Sequence, residues 1–158
     1  MTKLSRALED WLVGKAGKPA SLRLVINSTG GDLIDAYALV DEIYRIRRQG
    51  VTVTTVVYGQ ATSAAGLILQ AGNKRVTGPN GIILIHEASQ DAAGKTGRMA
   101  DTLTELKRIQ EQYLGLMAKR SNLTLLQIHE HVDGGRDWWI PAQLALELGF
   151  VDEIEASP

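Results

Sequence analysis

The chain has 158 residues, a length that suits one domain able to bury about 70% of the surface of its unfolded form. Its 44% hydrophobic and 22% charged residues exclude a disordered or fibrous protein. With 17 basic and 18 acidic residues the net charge is -1, so no overall field attracts the chain to nucleic acid or to an anionic membrane. Cysteine is absent, which excludes disulfides and thiolate chemistry, so any nucleophile must be an oxygen or an amine.

The N-terminal residues, MTKLSRALEDWLVGK, mix charged residues into the apolar positions and lack the apolar core of a signal peptide. No later apolar run approaches the roughly 20 residues that a membrane span needs. We therefore predict a cytoplasmic protein without a membrane partner.

The first half of the chain alternates between helical and strand patterns. Apolar residues at helical spacing predict a helix over residues 3–13. The short apolar run at residues 22–27 is typical of a buried strand. An amphipathic helix over residues 33–49, closed by Gly50, and a β-branched strand over residues 51–58 follow. A strand, a helix and a strand at this spacing predict a right-handed crossover between parallel strands.

The pattern then repeats toward the middle of the chain. GQATS predicts a turn, residues 64–71 an apolar helix and residues 74–77 a short strand. After a second turn, residues 82–86 form the strand IILIH. The predicted fold class is α/β, with repeated β-α-β units and a largely parallel sheet.

Three helices complete the prediction. The longest covers residues 97–120, and shorter helices cover residues 124–132 and 141–148. The long helix carries an apolar residue at every third or fourth position, and a stripe of this kind is usually buried. On so small a domain, another subunit is a natural partner for it.

Polar groups follow three of the predicted strands. Gly30 and Gly31 come after the first strand, Ser63 lies past the second, and His86 ends the third. Reactive groups gather at the carboxyl ends of parallel strands, so these residues share one crevice if the strands are neighbours. A serine at a strand-to-helix turn suits a nucleophile, because the amides at the helix start can bind an oxyanion.

Each of these features also has a purely structural interpretation. Taken alone, Ser63 is more often interpreted as a helix N-cap, and His86 as a histidine satisfied by the backbone. HEASQ lacks the second histidine of a zinc motif, so we predict no metal. NSTGGDLID matches no nucleotide-binding pattern and Asp32 would repel an anion, so we predict no cofactor.

Four motifs, in order from about Leu22 to Ile154, resemble those of the Clp protease proteolytic subunit, whose fold is shared with the crotonases. INSTGG is similar to the family's I-N-S-P-G-G, and GQATSAAG to its G-Q-A-A-S-M-G. GPNGIILIHE resembles the segment that carries the family's histidine, and GRDWWIPAQLALELGFVDEI the segment that carries its aspartate. The resemblance implies one peptidase domain over residues 1–158.

The resemblance also assigns a site. It implies that Ser63 is the nucleophile, His86 the general base and then acid, and Asp137 the residue that orients the imidazole. The backbone N–H groups of Gly31 and Ala64 would form the oxyanion hole. Residue spacing alone leaves Asp133 as a competing orienter, and only the resemblance selects Asp137.

The partners implied by the resemblance are further copies of the chain and an ATPase. Arg136 would join contacts between two stacked seven-membered rings, and the helix over residues 97–120 would be the handle through which the rings stack. Thr29 replaces the family's proline. The family segment that lines the axial pore and helps to dock a hexameric ATPase unfoldase has no counterpart before the first helix, so we expect that partnership to be weakened or lost.

The leading prediction is a serine endopeptidase that cuts unfolded proteins or short peptides inside an oligomeric chamber. Two alternatives stay open: a catalytically silent scaffold subunit, and a phage-like or stand-alone homologue that works without an ATPase. Acyl-CoA chemistry of the crotonase type is disfavoured, since that family commonly uses glutamates and a longer chain.

Overall fold

The computed structural model describes residues 21–89 and 95–156. The helix predicted over residues 3–13 lies outside the described residues. In the described part the strands are β1 (Ser21–Ser28), β2 (Thr52–Thr62), β3 (Lys74–Thr77), β4 (Ile82–Ile85), β5 (Trp138–Pro141) and β6 (Glu153–Ile154). The helices are α1 (Leu33–Arg48), α2 (Ala64–Gln70), α3 (Thr96–Lys119), α4 (Leu125–Val132) and α5 (Ala142–Glu147). No helix among these is long and apolar enough to cross a membrane.

The strands form one mostly parallel sheet centred on β2, which confirms the predicted α/β fold class. β1 runs parallel to β2 along one edge. On the opposite edge, the first half of β2 pairs with β3 and its last residues pair with β4, both in parallel. β6 extends the sheet beyond β3, and β5 is antiparallel to β4. The carboxyl ends of β1, β2 and β4 are therefore neighbours, as the site prediction required.

The structure differs from the strand predictions in three respects. GQAT belongs to β2 rather than to a turn, because Gln60, Ala61 and Thr62 pair with β4. The first strand is not fully buried, since it alternates between a packed face and an exposed face that includes Val25. β5 and β6, for which no strand was predicted, are held by their partners β4 and β3.

The core lies between the sheet and helices α1, α2 and α3. Asp32 begins α1 as its N-cap, since its carboxylate accepts from the Asp35 amide at 3.0 Å. The apolar face of α1 then packs on the sheet. The fully buried side chains of this core include Ile43, Ile46, Val53, Val57, Leu67, Leu69, Leu114 and Met117.

The long helix α3 is buried only along its last turns. Tyr113, Leu114 and Met117 are enclosed, whereas Met99 and Leu103 in the first turns are exposed. The single chain therefore buries only the last part of the stripe, and the predicted contact of the rest with another subunit stays a prediction.

A buried arginine joins the end of the sheet to three helices. Arg75 on β3 donates from Nη1 to Gln70 Oε1 and to the Gly149 carbonyl oxygen, each at 2.8 Å, and to the Arg120 carbonyl oxygen. Its Nε donates to Asp152 Oδ2 at 3.1 Å, and Nη2 pairs with Oδ1 of the same carboxylate. Burial opposes ionisation of Asp152, but the hydrogen bonds from Arg75 outweigh it and hold the pKa of Asp152 below its ordinary value.

Arg75→Met should lower the free energy of unfolding by about 3–5 kcal/mol, because it leaves a partly buried carboxylate and several acceptors without their donor. Arg108→Met is the matched control, since Arg108 is exposed and pairs only with neighbours on its own helix. This variant should leave the free energy of unfolding nearly unchanged, because water screens the ion pair of an exposed arginine. Urea unfolding measures both variants, and equal small effects would contradict the role of Arg75.

Candidate active site

Ser63 occupies a strained turn between β2 and α2. Its φ of 55° and ψ of -128° place a non-glycine residue in a region that L-residues rarely adopt. The backbone holds it there: the Ser63 amide donates to the Leu84 carbonyl oxygen at 2.8 Å, and the Ser63 carbonyl accepts from the Gly66 amide at 2.9 Å. Its side chain makes no capping hydrogen bond. The N-cap interpretation of Ser63 therefore does not explain its hydroxyl.

Gly30 packs directly against this turn. A Cβ on Gly30 would lie 2.5 Å from the Thr62 carbonyl oxygen and 2.8 Å from Ser63 Cβ, and the φ of Gly30 is +95°. Both the close approach and the backbone angle require glycine. The loop after β1 is thereby held against the residue that the sequence selected as nucleophile.

Two backbone amides next to Ser63 are free to donate. Within the described residues, the Gly31 and Ala64 amides have no hydrogen-bond acceptor. Gly31 and Ala64 line one cavity, and Gly31 also lines the cleft that contains Ser63. Unpaired amides at a helix start form a ready site for an oxyanion.

The cleft around Ser63 has a volume of about 370 Å³. The start of α1 forms one wall, and Leu106 and Ile109 of α3 form the other. Tyr37 fixes this second wall by donating from its hydroxyl to the Ile109 carbonyl oxygen at 3.1 Å. Burial raises the pKa of Tyr37 to about 12, so the hydroxyl keeps its proton at neutral pH.

His86 lies in the same cleft, one residue past the end of β4. Its Nδ1 lies 2.6 Å from the carbonyl oxygen of Glu87. Among the described residues, no hydrogen bond joins His86 to Ser63 or to Asp137. The contact with the Glu87 carbonyl agrees with a structural role for His86. The position of His86 in the same cleft as Ser63 agrees with a catalytic role.

Asp137 and His86 flank the last pair of the β4–β5 ladder, and no hydrogen bond joins them among the described residues. Ile85 pairs with Trp138, so continuing the ladder by one residue on each strand would place His86 opposite Asp137. Backbones in such a pair lie about 5 Å apart. Asp137 is exposed, and its carboxylate forms no hydrogen bond or ion pair within residues 21–89 and 95–156. The Asp137 carboxylate is therefore uncommitted within the described residues.

Asp133, the competing orienter, is already engaged elsewhere. Its Oδ1 lies 2.8 Å from Nδ1 of His129, whose Nε2 pairs with Glu111 Oε1 at 3.0 Å. The hydrogen bond to Asp133, together with that to Glu111, raises the pKa of His129. His129 thus links α3 to the end of α4.

The turn that carries Asp137 is tied to the strand that carries His86. Glu87 Oε1 accepts from the Gly134 amide at 3.0 Å, although sequence reasoning examined this glutamate only for a metal motif. Arg136 folds back on its own chain, where it donates to the Glu130 and Asp133 carbonyl oxygens at 2.6 and 3.0 Å. Its predicted role in contacts between rings stays a prediction.

Sequence reasoning also missed the apolar wall of the cleft. Leu106 and Ile109 belong to the stripe that was assigned to contact with another subunit, and they instead line the site. In the described part of the chain, no three histidine or acidic side chains converge in a way that could hold a metal ion.

Comparison with known proteins places this chain in a family. The model of the Clp protease family matches residues 11–158. The chain is 35% identical over 138 residues to ATP-dependent Clp protease proteolytic subunit 1 of Tropheryma whipplei strain Twist, and this match covers 85% of the chain and 64% of the relative.

Two further relatives bear similar names. The chain is 38% identical over 136 residues to proteolytic subunit 2 of the same strain, covering 83% of the chain and 71% of the relative. It is 35% identical over 135 residues to the Lactococcus lactis proteolytic subunit, covering 83% of the chain and 65% of the relative. The chain thus spans about two thirds of the length of these relatives, and it belongs to the Clp protease family.

Proposed function

We propose that the chain is a serine endopeptidase subunit that hydrolyses peptide bonds of unfolded proteins or short peptides. One observation carries the proposal: Ser63 has a strained backbone and an uncommitted hydroxyl, in one cleft with His86. Strain of this kind persists only where the surrounding structure enforces it, and it is concentrated at active sites. A serine on a sharp turn from strand to helix also presents its Oγ to a substrate.

Acylation would begin when Ser63 Oγ attacks the carbonyl carbon of the substrate. His86 would take the hydroxyl proton as the bond forms, and the carbonyl oxygen would gain a negative charge. The Gly31 and Ala64 amides are the donors we assign to that oxyanion, because both are unpaired beside Ser63. As the tetrahedral intermediate collapses, His86 would give its proton to the leaving amine, which leaves an acyl ester on Ser63.

Deacylation would reverse the same transfers with water. His86 would accept a proton from the water as its oxygen attacks the ester carbonyl, and the Gly31 and Ala64 amides would again hold the oxyanion. Return of the proton to Ser63 Oγ releases the carboxylic acid product and restores the enzyme.

The triad as proposed needs one local rearrangement. His86 Nδ1 now contacts the Glu87 carbonyl oxygen, so the imidazole must exchange this partner for the Asp137 carboxylate. The last β4–β5 pair, Ile85 with Trp138, supports this exchange because His86 and Asp137 are the next residues, and the Asp137 carboxylate has no hydrogen bond in the described chain. Orientation by a carboxylate fixes the tautomer of the histidine and stabilises its cation.

We further propose that the chain works in a cytoplasmic assembly of stacked rings. The exposed Met99 and Leu103 on the first turns of α3 offer apolar surface for a second copy. The relatives are named as subunits of an ATP-dependent protease, so an ATPase unfoldase is the partner to test. The lack of cysteine agrees with a reducing compartment.

A catalytically silent scaffold subunit is the second candidate. It is favoured by the His86 contact with the Glu87 carbonyl and by the lack of any contact between His86 and Asp137. Light scattering would first establish that the sample is oligomeric. Absence of peptide hydrolysis by that oligomer would support the scaffold and overturn the peptidase.

Ser63→Ala should lower kcat/KM for a fluorogenic peptide by at least about 10⁴-fold, because the nucleophile is removed. Ser89→Ala is the matched control, since Ser89 lines the same cleft and has no assigned role. Its activity should stay within about three-fold of wild type. A fluorophosphonate probe that still labels Ser63→Ala would contradict the assignment.

Asp137→Asn should lower kcat by about 10⁴-fold, because the amide favours the wrong histidine tautomer. Asp133→Asn should lower kcat by less than about 10-fold, since its carboxylate serves His129. Steady-state kinetics on both variants, with circular dichroism to confirm folding, distinguishes the two. A larger loss in Asp133→Asn would reverse the assignment.

A further inference from the structure

A second cavity lies at the other end of α1 from the Ser63 cleft. It has a volume of about 500 Å³ and is lined by Tyr44, Arg47, Arg48, Asn73 and Arg120. We call it the arginine cleft. The first turn of α1 lines the Ser63 cleft and its last turn lines this one, so the two lie about 20 Å apart at 1.5 Å per residue.

The arginine cleft is strongly positive although the chain as a whole is not. Three guanidinium groups line it and no carboxylate does, whereas the chain carries a net charge of -1. Asp152, whose negative charge acts on Arg120, forms its ion pair with Arg75, and Glu111, in a neighbouring cavity, pairs with His129. Among the described residues, no carboxylate lines the cleft or accepts a hydrogen bond from its three arginines.

Two of the three arginines are fixed in place by the backbone. Arg47 Nη1 donates to the Ala71 carbonyl oxygen at 2.7 Å. Arg120 Nε and Nη2 donate to the Gln70 and Gly72 carbonyl oxygens at 3.1 and 3.0 Å. These consecutive carbonyls end α2, so the arginines satisfy the carbonyl end of that helix.

Arg47 and Arg120 use only some of their N–H groups to bind the carbonyl oxygens at the end of α2. A guanidinium has five N–H groups, so Arg47 and Arg120 keep further donors, and Arg48 makes no hydrogen bond within the described residues. The Arg47 and Arg120 side chains are already held by the backbone, so they lose little conformational entropy when they bind a ligand.

The like charges of the cleft also repel one another. Burial, followed by the positive charge of Arg75 behind the cleft, lowers the pKa of Arg120; Asp152 opposes this shift, and Arg47 in the cleft adds to it. An anion in the cleft would relieve this repulsion. One carboxylate is satisfied by a single guanidinium in a bidentate pair, whereas three guanidinium groups match the larger number of oxygens on a phosphoryl group.

We propose that the arginine cleft binds a phosphate-bearing small molecule, whose phosphoryl oxygens accept hydrogen bonds from Arg47, Arg48 and Arg120. The cavity exceeds what one phosphate fills, which leaves space for a diphosphate or for an attached organic group beside Tyr44 and Asn73. The site does not depend on the proposed peptidase activity, because it shares no residue with the Ser63 cleft.

Isothermal titration of the assembled protein with inorganic pyrophosphate tests the proposal. Wild type should bind in a one-site isotherm, and Arg48→Gln should weaken the affinity about 10-fold or more. Arg48 is the variant of choice because it is exposed and holds no backbone group of the described chain. Arg108→Gln, which removes an equally exposed arginine from α3, should bind as wild type does.

Acetate at equal ionic strength is the second arm, and it should bind at least about 10-fold more weakly than pyrophosphate. Absence of pyrophosphate binding at millimolar concentration would overturn the proposal. So would equal weakening by Arg48→Gln and Arg108→Gln, which would show binding by general surface charge. Equal affinity for acetate would overturn the assignment to phosphate.

Discussion

The site depends on the backbone of one serine. Ser63 sits at a φ of 55°, a conformation that costs about 1–3 kcal/mol for a residue with a side chain. The sheet supplies this energy, since β2 continues to Thr62 and the Ser63 amide bonds to Leu84 on β4. Gly30 then closes the turn from the β1 side, where no larger residue fits. The pairing of β2 with β4 and the close approach of Gly30 thus hold the Ser63 residue where the carboxyl ends of β1, β2 and β4 meet.

His86 and Asp137, the other residues of the proposed triad, are not yet joined to each other by a hydrogen bond among the described residues. His86 bonds to the Glu87 backbone, while the Glu87 side chain holds the Gly134 amide in the turn before Asp137. The same turn is joined to α3 through His129 and Glu111. The ion pairs of His129 with Glu111 and Asp133 therefore connect the later turns of α3 to the turn that precedes Asp137. We interpret the single chain as holding the nucleophile ready and leaving the histidine and aspartate to be brought together.

Sequence patterns predicted the order of the elements and the place of Ser63 and His86, because strand ends and their loops follow from apolar runs. They did not predict the strained φ of Ser63, since serine has no preference for that region. They took GQAT as a turn because a strand partner remote in sequence is invisible to local patterns. They also left the choice between Asp133 and Asp137 open, because residue spacing does not reveal that the Asp133 carboxylate contacts His129.

A crystal structure of the assembled protein after reaction with a fluorophosphonate would test the central claim most directly. The account predicts a bond from Ser63 Oγ to phosphorus, with the phosphonyl oxygen within about 2.7–3.1 Å of the Gly31 and Ala64 amides. It also predicts that His86 Nδ1 faces the Asp137 carboxylate instead of the Glu87 carbonyl. An adduct on another residue, or an oxygen that neither amide contacts, would contradict it.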